Sequence, residues 1–229
     1  MAAKKLGKQT FIMNNPPTIL SAAAIAGVKE GEGPLAQYFD TIITDDMFGE
    51  STWEKAESKL QKTALDTAVD KASLASSNID LIYAGDLLNQ CAGTHYGLRD
   101  MQIPFFGVFG ACSTMAQSMA MAAMSVDGGF ADYALACTSS HFCSAEKQFR
   151  YPLEYGGQRP LTSQWTVTGS GGALISASGK GPYITHITAG KMVDMGITDA
   201  NNMGAAMAPV DEIIGLCGWK RWIFCIGIF

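Results

Sequence analysis

The sequence predicts a layered α/β fold assembled around one helix buried in its core. Short apolar runs that read as strands alternate with helical stretches along most of the chain. One of those runs, Pro104-Phe105-Phe106-Gly107-Val108-Phe109, reads as a buried strand. It passes through Gly110 and Ala111 into Cys112, and Ser113 to Val126 then holds small residues and methionines, with Thr114, Gln117 and scattered serines the polar members. A helix so apolar on every side is expected to be covered all round.

The other elements follow in order. Phe11 to Met13 and Ser21 to Ala26 are candidate short strands separated by Asn14-Asn15-Pro16-Pro17. Ser51 with Glu54 makes a capping box that opens a helix with Trp53, Ala56, Leu60, Ala64 and Ala68 on one face. That helix runs to about Ala72 and leads into the strand Ile79 to Ala84, which ends at Gly85-Asp86. After the Cys112 helix, Gly128-Gly129 turns the chain into a strand from Tyr133 to Cys137. The polar, Gly-rich passage from Thr138 to Thr166 is too long for a simple connection and is expected to be functional or an interface. Val167 to Ser178 and Tyr183 to Ala189 read as closing strands joined by Gly179-Lys180-Gly181-Pro182.

Composition narrows the function classes. Of the 229 residues 48% are hydrophobic and only 16% charged, so much of the chain belongs to an interior or an interface. The net charge of −5 and the lack of a basic cluster argue against nucleic acid as a partner. Six cysteines (91, 112, 137, 143, 217 and 225) show no C-x-x-C pair and no zinc spacing, and read as reduced thiols of a cytosolic compartment. No metal and no cofactor are expected. The opening Met1-Ala2-Ala3-Lys4-Lys5 lacks the apolar core of a signal peptide, and no run reaches the roughly 18 apolar residues of a membrane span.

The last fifteen residues, from Gly215 to Phe229, break the pattern by crowding two tryptophans, two phenylalanines and two cysteines together without an amphipathic period. They read either as a terminal strand packed into the core or as an aberrant end.

Cys112 is the residue with the clearest chemistry. At a helix N-terminus, backbone N–H groups and the helix dipole favour a thiolate. The alternative is a small buried hydrophobe. His141 follows a strand end, where it reads as a carboxylate donor, a partner of Cys112, or a loop histidine held by backbone. Asp86 and Asn89 sit at another strand end, where α/β folds bind ligands, although capping the next turn explains them as well. Asp127 reads as a cap before Gly128-Gly129. Cys91, Cys137 and Cys143 read as inert thiols, and Met115, Met119, Met121 and Met124 as core filler.

Several blocks occur in a distinctive order: Gly85-Asp86-Leu87-Leu88-Asn89-Gln90, Gly110-Ala111-Cys112-Ser113-Thr114, Val126-Asp127-Gly128-Gly129-Phe130-Ala131 and Thr138-Ser139-Ser140-His141. Glu146-Lys147-Gln148-Phe149-Arg150-Tyr151-Pro152 follows, with Glu154-Tyr155-Gly156-Gly157-Gln158, and then Thr166-Val167-Thr168-Gly169-Ser170-Gly171. From about Gly7 to Pro209 the chain resembles the stage V sporulation protein AD family of spore-forming Firmicutes. The resemblance implies a thiolase-like fold, similar to the ketoacyl synthases, in which the cysteine at the start of the buried helix carries the acyl group. Thiolase-like chains contain two similar halves, each a five-stranded mixed sheet with helices.

The resemblance therefore implies that residues 1–209 are a thiolase-like first half, that 210–229 are an aberrant apolar tail, and that the second half is largely missing. It implies a non-catalytic protein that binds dipicolinic acid for uptake into the developing spore, with calcium as a companion of the ligand left open. Other SpoVA proteins and a homodimer are the implied partners, and the cytoplasm or forespore, peripheral to the spore inner membrane, the implied location. An acyl-transferring enzyme with Cys112 as nucleophile, or a non-functional fragment, are the alternatives.

The ligand is a flat dianion, which asks for donors at two ends and an apolar wall between. The expected contacts are Cys112, His141, Arg150, Gly169, Ser170, Gly171 and Asn89. The planar fork of Arg150 suits a carboxylate, although an ion pair with Glu146 or Glu154 is an equal use. Gly169-Ser170-Gly171-Gly172 resembles the glycine-rich turn that thiolase-like folds place beside the cysteine, and a tight turn between strands explains it equally.

Overall fold

Residues 81–85, 133–140 and 169–176 each alternate two sets of apolar side chains, so the strands they form are buried on both faces. The structure, a computed structural model, describes residues 4–149, 166–191, 194–199 and 224–226. Its strands are β1 (Lys5–Leu6), β2 (Thr10–Ile12), β3 (Thr18–Ala26), β4 (Thr41–Ile42), β5 (Leu81–Gly85), β6 (Phe105–Gly107), β7 (Tyr133–Ser140), β8 (Gly169–Ser176), β9 (His186–Ala189) and β10 (Phe224–Ile226). The helices are α1 (Trp53–Lys71), α2 (Ala92–Leu98), α3 (Thr114–Asp127) and α4 (Phe142–Phe149).

The main sheet is mixed and runs β4-β3-β8-β7-β5-β6. Its body is the expected five strands, with the two-residue β4 added at one edge. β8 lies antiparallel between β3 and β7, whereas β7, β5 and β6 run parallel. A second sheet, β1-β2-β9-β10, holds the three described residues of the tail as a strand parallel to β9. The rest of residues 210–229, like Arg150 and most of the Gly-rich passage, lies outside the described residues.

The two faces of the main sheet are built differently. Leu60, Ala64, Leu65 and Ala68 of α1 meet Ile82, Leu135 and Leu174, and all of these are completely buried. Each leucine contributes roughly 1.5–3 kcal/mol by leaving water. On the opposite face, α3 sets Met119, Ala122, Ala123 and Val126 against Tyr83, Ala134, Ala136, Ala173 and Ile175. Alanines on both partners bring α3 close to the sheet.

Three expectations need correction. The cap of α1 is Thr52, one residue after Ser51: its backbone is extended, its Oγ1 accepts from Lys55 N at 3.3 Å, and its carbonyl takes the first helical bond from Ala56. The Ser51 hydroxyl accepts instead from Lys55 Nζ at 3.1 Å. The apolar run 104–109 is not a buried strand. β6 is the sheet edge, where Phe106 and Phe109 stay 52% and 57% exposed, and Phe106 stacks on Tyr83 with ring centroids 5.3 Å apart. Nor is α3 covered all round, because Met121 and Met124 are 40% and 46% exposed on its outer face. The turn at Gly128-Gly129 is found where expected, with Gly129 at φ +75°.

The tightest approach is at the end of β5, where a Cβ built on Gly85 would lie 1.7 Å from the Val108 carbonyl oxygen. Gly85→Ala is expected to push β5 from the loop after β6 and to destabilise the protein by ~1–3 kcal/mol, as overpacking does. Thermal unfolding measures it, and an unchanged midpoint would show that the loop yields freely.

Candidate functional site

The site forms where the parallel strands end. Val108 N donates to Ala84 O at 2.8 Å and so prolongs the pairing of β5 with β6. The chain then turns through Gly110 and Ala111, whose φ of +47° is left-handed in a residue that has a Cβ. Such a conformation costs on the order of 1 kcal/mol and is concentrated at functional sites. Cys112 is the middle residue of a single 3-10 turn, Ala111–Ser113, that runs directly into α3.

Local hydrogen bonds lock this turn. Ser113 Oγ donates to Gly110 O at 2.7 Å, Thr114 Oγ1 to Ala111 O at 2.8 Å, and Gln117 Nε2 to Ser113 Oγ at 2.6 Å. Ser113 and Thr114 are thereby turned inward and buried, and Cys112 is left exposed. The thiol is presented rather than packed. Among the described residues Cys91 and Cys137 are the buried thiols: burial raises the pKa of Cys91 and pushes that of Cys137 up to about 12.

Across the sheet, Gly85, Thr138 and Gly171 pair in one row on β5, β7 and β8. Alternation along the strands places all three on the α3 face, and a Cβ on Gly85 would also meet Thr114 Cγ2 at 2.7 Å. A Cβ on Gly171 would meet nothing within 4 Å, so space is open over the Gly171 end of the row. Ser140 follows Thr138 on the same face, and its buried Oγ has no hydrogen-bond partner. A buried hydroxyl without a partner is a place for a ligand oxygen or a water.

The other expected contacts are distributed unevenly. Asn89 is exposed on the loop after β5, next to Gln90 and Cys91, which are left-handed at φ +59° and +52°. Cys91 Sγ reaches Val108 O at 3.6 Å and ties this loop to the one bearing Cys112. Asp86 acts as a cap: its carboxylate accepts from Leu88 N, Thr94 N and Thr94 Oγ1 at 2.6–2.7 Å. Asp127 is likewise structural, accepting from Asn15 N and pairing with Lys4 Nζ at 2.6 Å.

Two calls change. His141 is completely buried; Cys143 N donates to its Nδ1 at 3.2 Å, so Nε2 carries the proton and donates to Asp46 O at 2.6 Å. Both nitrogens are taken by backbone, and none is left for a ligand or for the Cys112 thiol. Gly169-Ser170-Gly171-Gly172 is no turn but the start of β8, paired on both sides. Ser170 points to the α1 face, where its hydroxyl donates to Thr138 O at 2.9 Å and lies 3.6 Å from Cys137 Sγ. Gly172 passes beneath α1, its absent Cβ 3.0 Å from Ala64 O. Of the glycine block, Gly171 alone faces the open space.

Glu57 was not expected here. Amid Trp53-Glu54-Lys55-Ala56-Glu57-Ser58-Lys59 it reads as a surface charge, yet it is completely buried. Ser139 Oγ lies 3.1 Å from its Oε1 and Ser144 Oγ 2.5 Å from its Oε2. Taking a carboxylate out of water costs several kcal/mol. Burial, reinforced by the nearby Asp86 and Glu54, therefore raises the pKa of Glu57 from 4.5 to about 7, against the lowering effect of the two serine hydroxyls. Because the folded value exceeds the unfolded one, the group takes up a proton on folding. Its stabilisation is complete below about pH 4.5 and is lost as pH rises through 7.

Comparison with known proteins agrees with this architecture. The family described as Stage V sporulation protein AD (SpoVAD) matches residues 7–214. This chain belongs to that family. A curated relative, "Stage V sporulation protein AD" of Bacillus subtilis (strain 168), is 48% identical over 206 residues, which cover 90% of this chain and 61% of the relative. The chain thus spans less than two thirds of that relative's length. Among solved structures, 3-oxoacyl-(acyl-carrier-protein) synthase III from Aquifex aeolicus VF5 is similar at 14% identity and a TM-score of 0.50, covering 72% of this chain and 55% of that one. The fold of this SpoVAD-family chain is thiolase-like. No helix among the described residues is long and apolar enough to cross a membrane.

Exposure orders the thiols. In the native protein a maleimide is expected to modify Cys112 much faster than Cys91 or Cys137, which should react only on unfolding. Peptide mapping by mass spectrometry reads the order, and equal rates would contradict the outward placement of Cys112.

Proposed function

We propose that this SpoVAD-family chain takes part in sporulation by binding dipicolinic acid, without catalysing a reaction on it. The observation that carries the reading is Cys112, held exposed at the N-terminal end of α3 by a left-handed turn. Partial positive charge at a helix N-terminus suits one carboxylate of a planar dianion. The open space over Gly171 and the unpartnered Ser140 hydroxyl offer room and a donor on the same face of the sheet. Arg150, next in sequence after α4, supplies the second charge in this reading. His141 and Ser170 frame the site from behind without contacting the ligand. The other SpoVA proteins are the expected partners, and the forespore the expected place of action.

Acyl transfer is the second reading, favoured by the same exposed thiol. In that reaction the Cys112 sulfur takes the acyl group of a thioester, and the thiol of the carrier leaves. It also needs a base, and the one described histidine near the end of β7 has both nitrogens engaged.

Two measurements separate these readings. Calorimetry should detect dipicolinate binding, and Arg150→Ala should weaken it by the ~1.5–3 kcal/mol of a charge-assisted hydrogen bond. Unchanged affinity in that variant would remove Arg150 from the site. Incubation with short acyl-CoA thioesters should leave the mass of Cys112 unchanged. Stoichiometric acylation, abolished by Cys112→Ser, would make the protein an enzyme.

A further inference from the structure

Glu57 joins three elements with one carboxyl group. It belongs to α1, Ser139 to the end of β7, and Ser144 to the first turn of α4. The groups facing it are Asp86 beyond β5, Glu54 on its own helix, and the two serine hydroxyls, with the ring of His141 directed away to Asp46. None of the ion pairs among the described residues includes Glu57.

Hydrogen counting distinguishes its two protonation states. Ser144 Oγ lies 2.5 Å from Glu57 Oε2 and 3.1 Å from His141 O, but a hydroxyl has one hydrogen to donate. With Glu57 neutral, its O–H donates to Ser144 Oγ, Ser144 donates on to His141 O, and Ser139 donates to Oε1. Every hydrogen then has an acceptor. With Glu57 ionised, Ser144 must turn its hydrogen back to Oε2, which breaks the relay to His141 and leaves an anion facing Asp86 without a cation.

We propose that Glu57 is a proton-operated latch: its neutral form clamps the first turn of α4 to α1 and β7, whereas its ionised form, an anion buried without a cation that takes the Ser144 hydrogen away from His141, loosens that turn. The same clamp fixes the end of β7, because Ser140 lies between Ser139 and His141. The latch does not depend on what the neighbouring site binds. Its pKa near 7 lets a modest change of pH work it.

Hydrogen exchange of the 229-residue chain, corrected for intrinsic rates and followed by peptide mass spectrometry, tests the latch. Protection of residues 142–149 is expected to fall roughly tenfold between pH 6 and pH 8, as the carboxyl titrates through its pKa of about 7, while that of α1 stays constant. Glu57→Gln removes the titration and should make α4 protection the same at both pH values. Ser144→Ala keeps the carboxyl but removes the hydroxyl linking it to α4, and should loosen α4 at both. A pH-dependent loosening that survives in either variant, or its absence in the native chain, would overturn the latch.

Discussion

The site depends on the last residue of β5. Gly85 has no side chain, so the Val108 carbonyl oxygen can occupy the place a Cβ would take, and this brings the loop carrying Cys112 against the sheet. The Gly85 carbonyl oxygen in turn accepts from Gln61 Nε2 of α1 at 3.2 Å and from Thr138 Oγ1 of β7 at 3.1 Å. One backbone position therefore registers the helix on one face, the neighbouring strand and the turn before α3. A methyl group there would displace the thiol along with the loop, whatever the rest of the core did.

The two faces of the sheet divide the work. The α1 side is filled with leucine and isoleucine and holds the buried carboxyls of Glu57 and Asp86, each satisfied by hydroxyl or backbone donors. The α3 side is lined with alanine and glycine, which lets the helix approach closely and leaves room at the strand ends for something other than protein. Rigidity is concentrated on one side and access on the other, as a binding site on a fixed scaffold requires.

Much of this was legible in the sequence, and the misreadings have physical causes. Periodicity located α1, α3 and the central strands because their apolar spacing follows backbone geometry. It cannot say which strand lies at an edge, so the Phe105-Phe106 run read as buried although strand order exposes it. Ser51 and Thr52 are both competent caps, and only the backbone angles choose between them. Glycines at 169, 171 and 172 suggested a turn, whereas Gly172 admits the close passage of α1, Gly169 lies against the Ile25 carbonyl of β3, and Gly171 borders open space. His141 finds its partner at Asp46, and Glu57 its partners at Ser139 and Ser144, all too distant in sequence for a local pattern to reveal. Family membership was legible because it rests on contiguous blocks, Cys112 among them.

The strand order also decides when the fold can close during synthesis. β8 fills the slot between β3 and β7, and Thr18 pairs with Ser176 while Ala26 pairs with Gly169. An apolar strand made near the beginning of translation must wait for nearly all of the described chain before its hydrogen bonds are met. Contacts so distant in sequence slow folding, and the waiting strand is an open edge for other chains to join. The nascent protein is thus most open to aggregation before residue 176 leaves the ribosome.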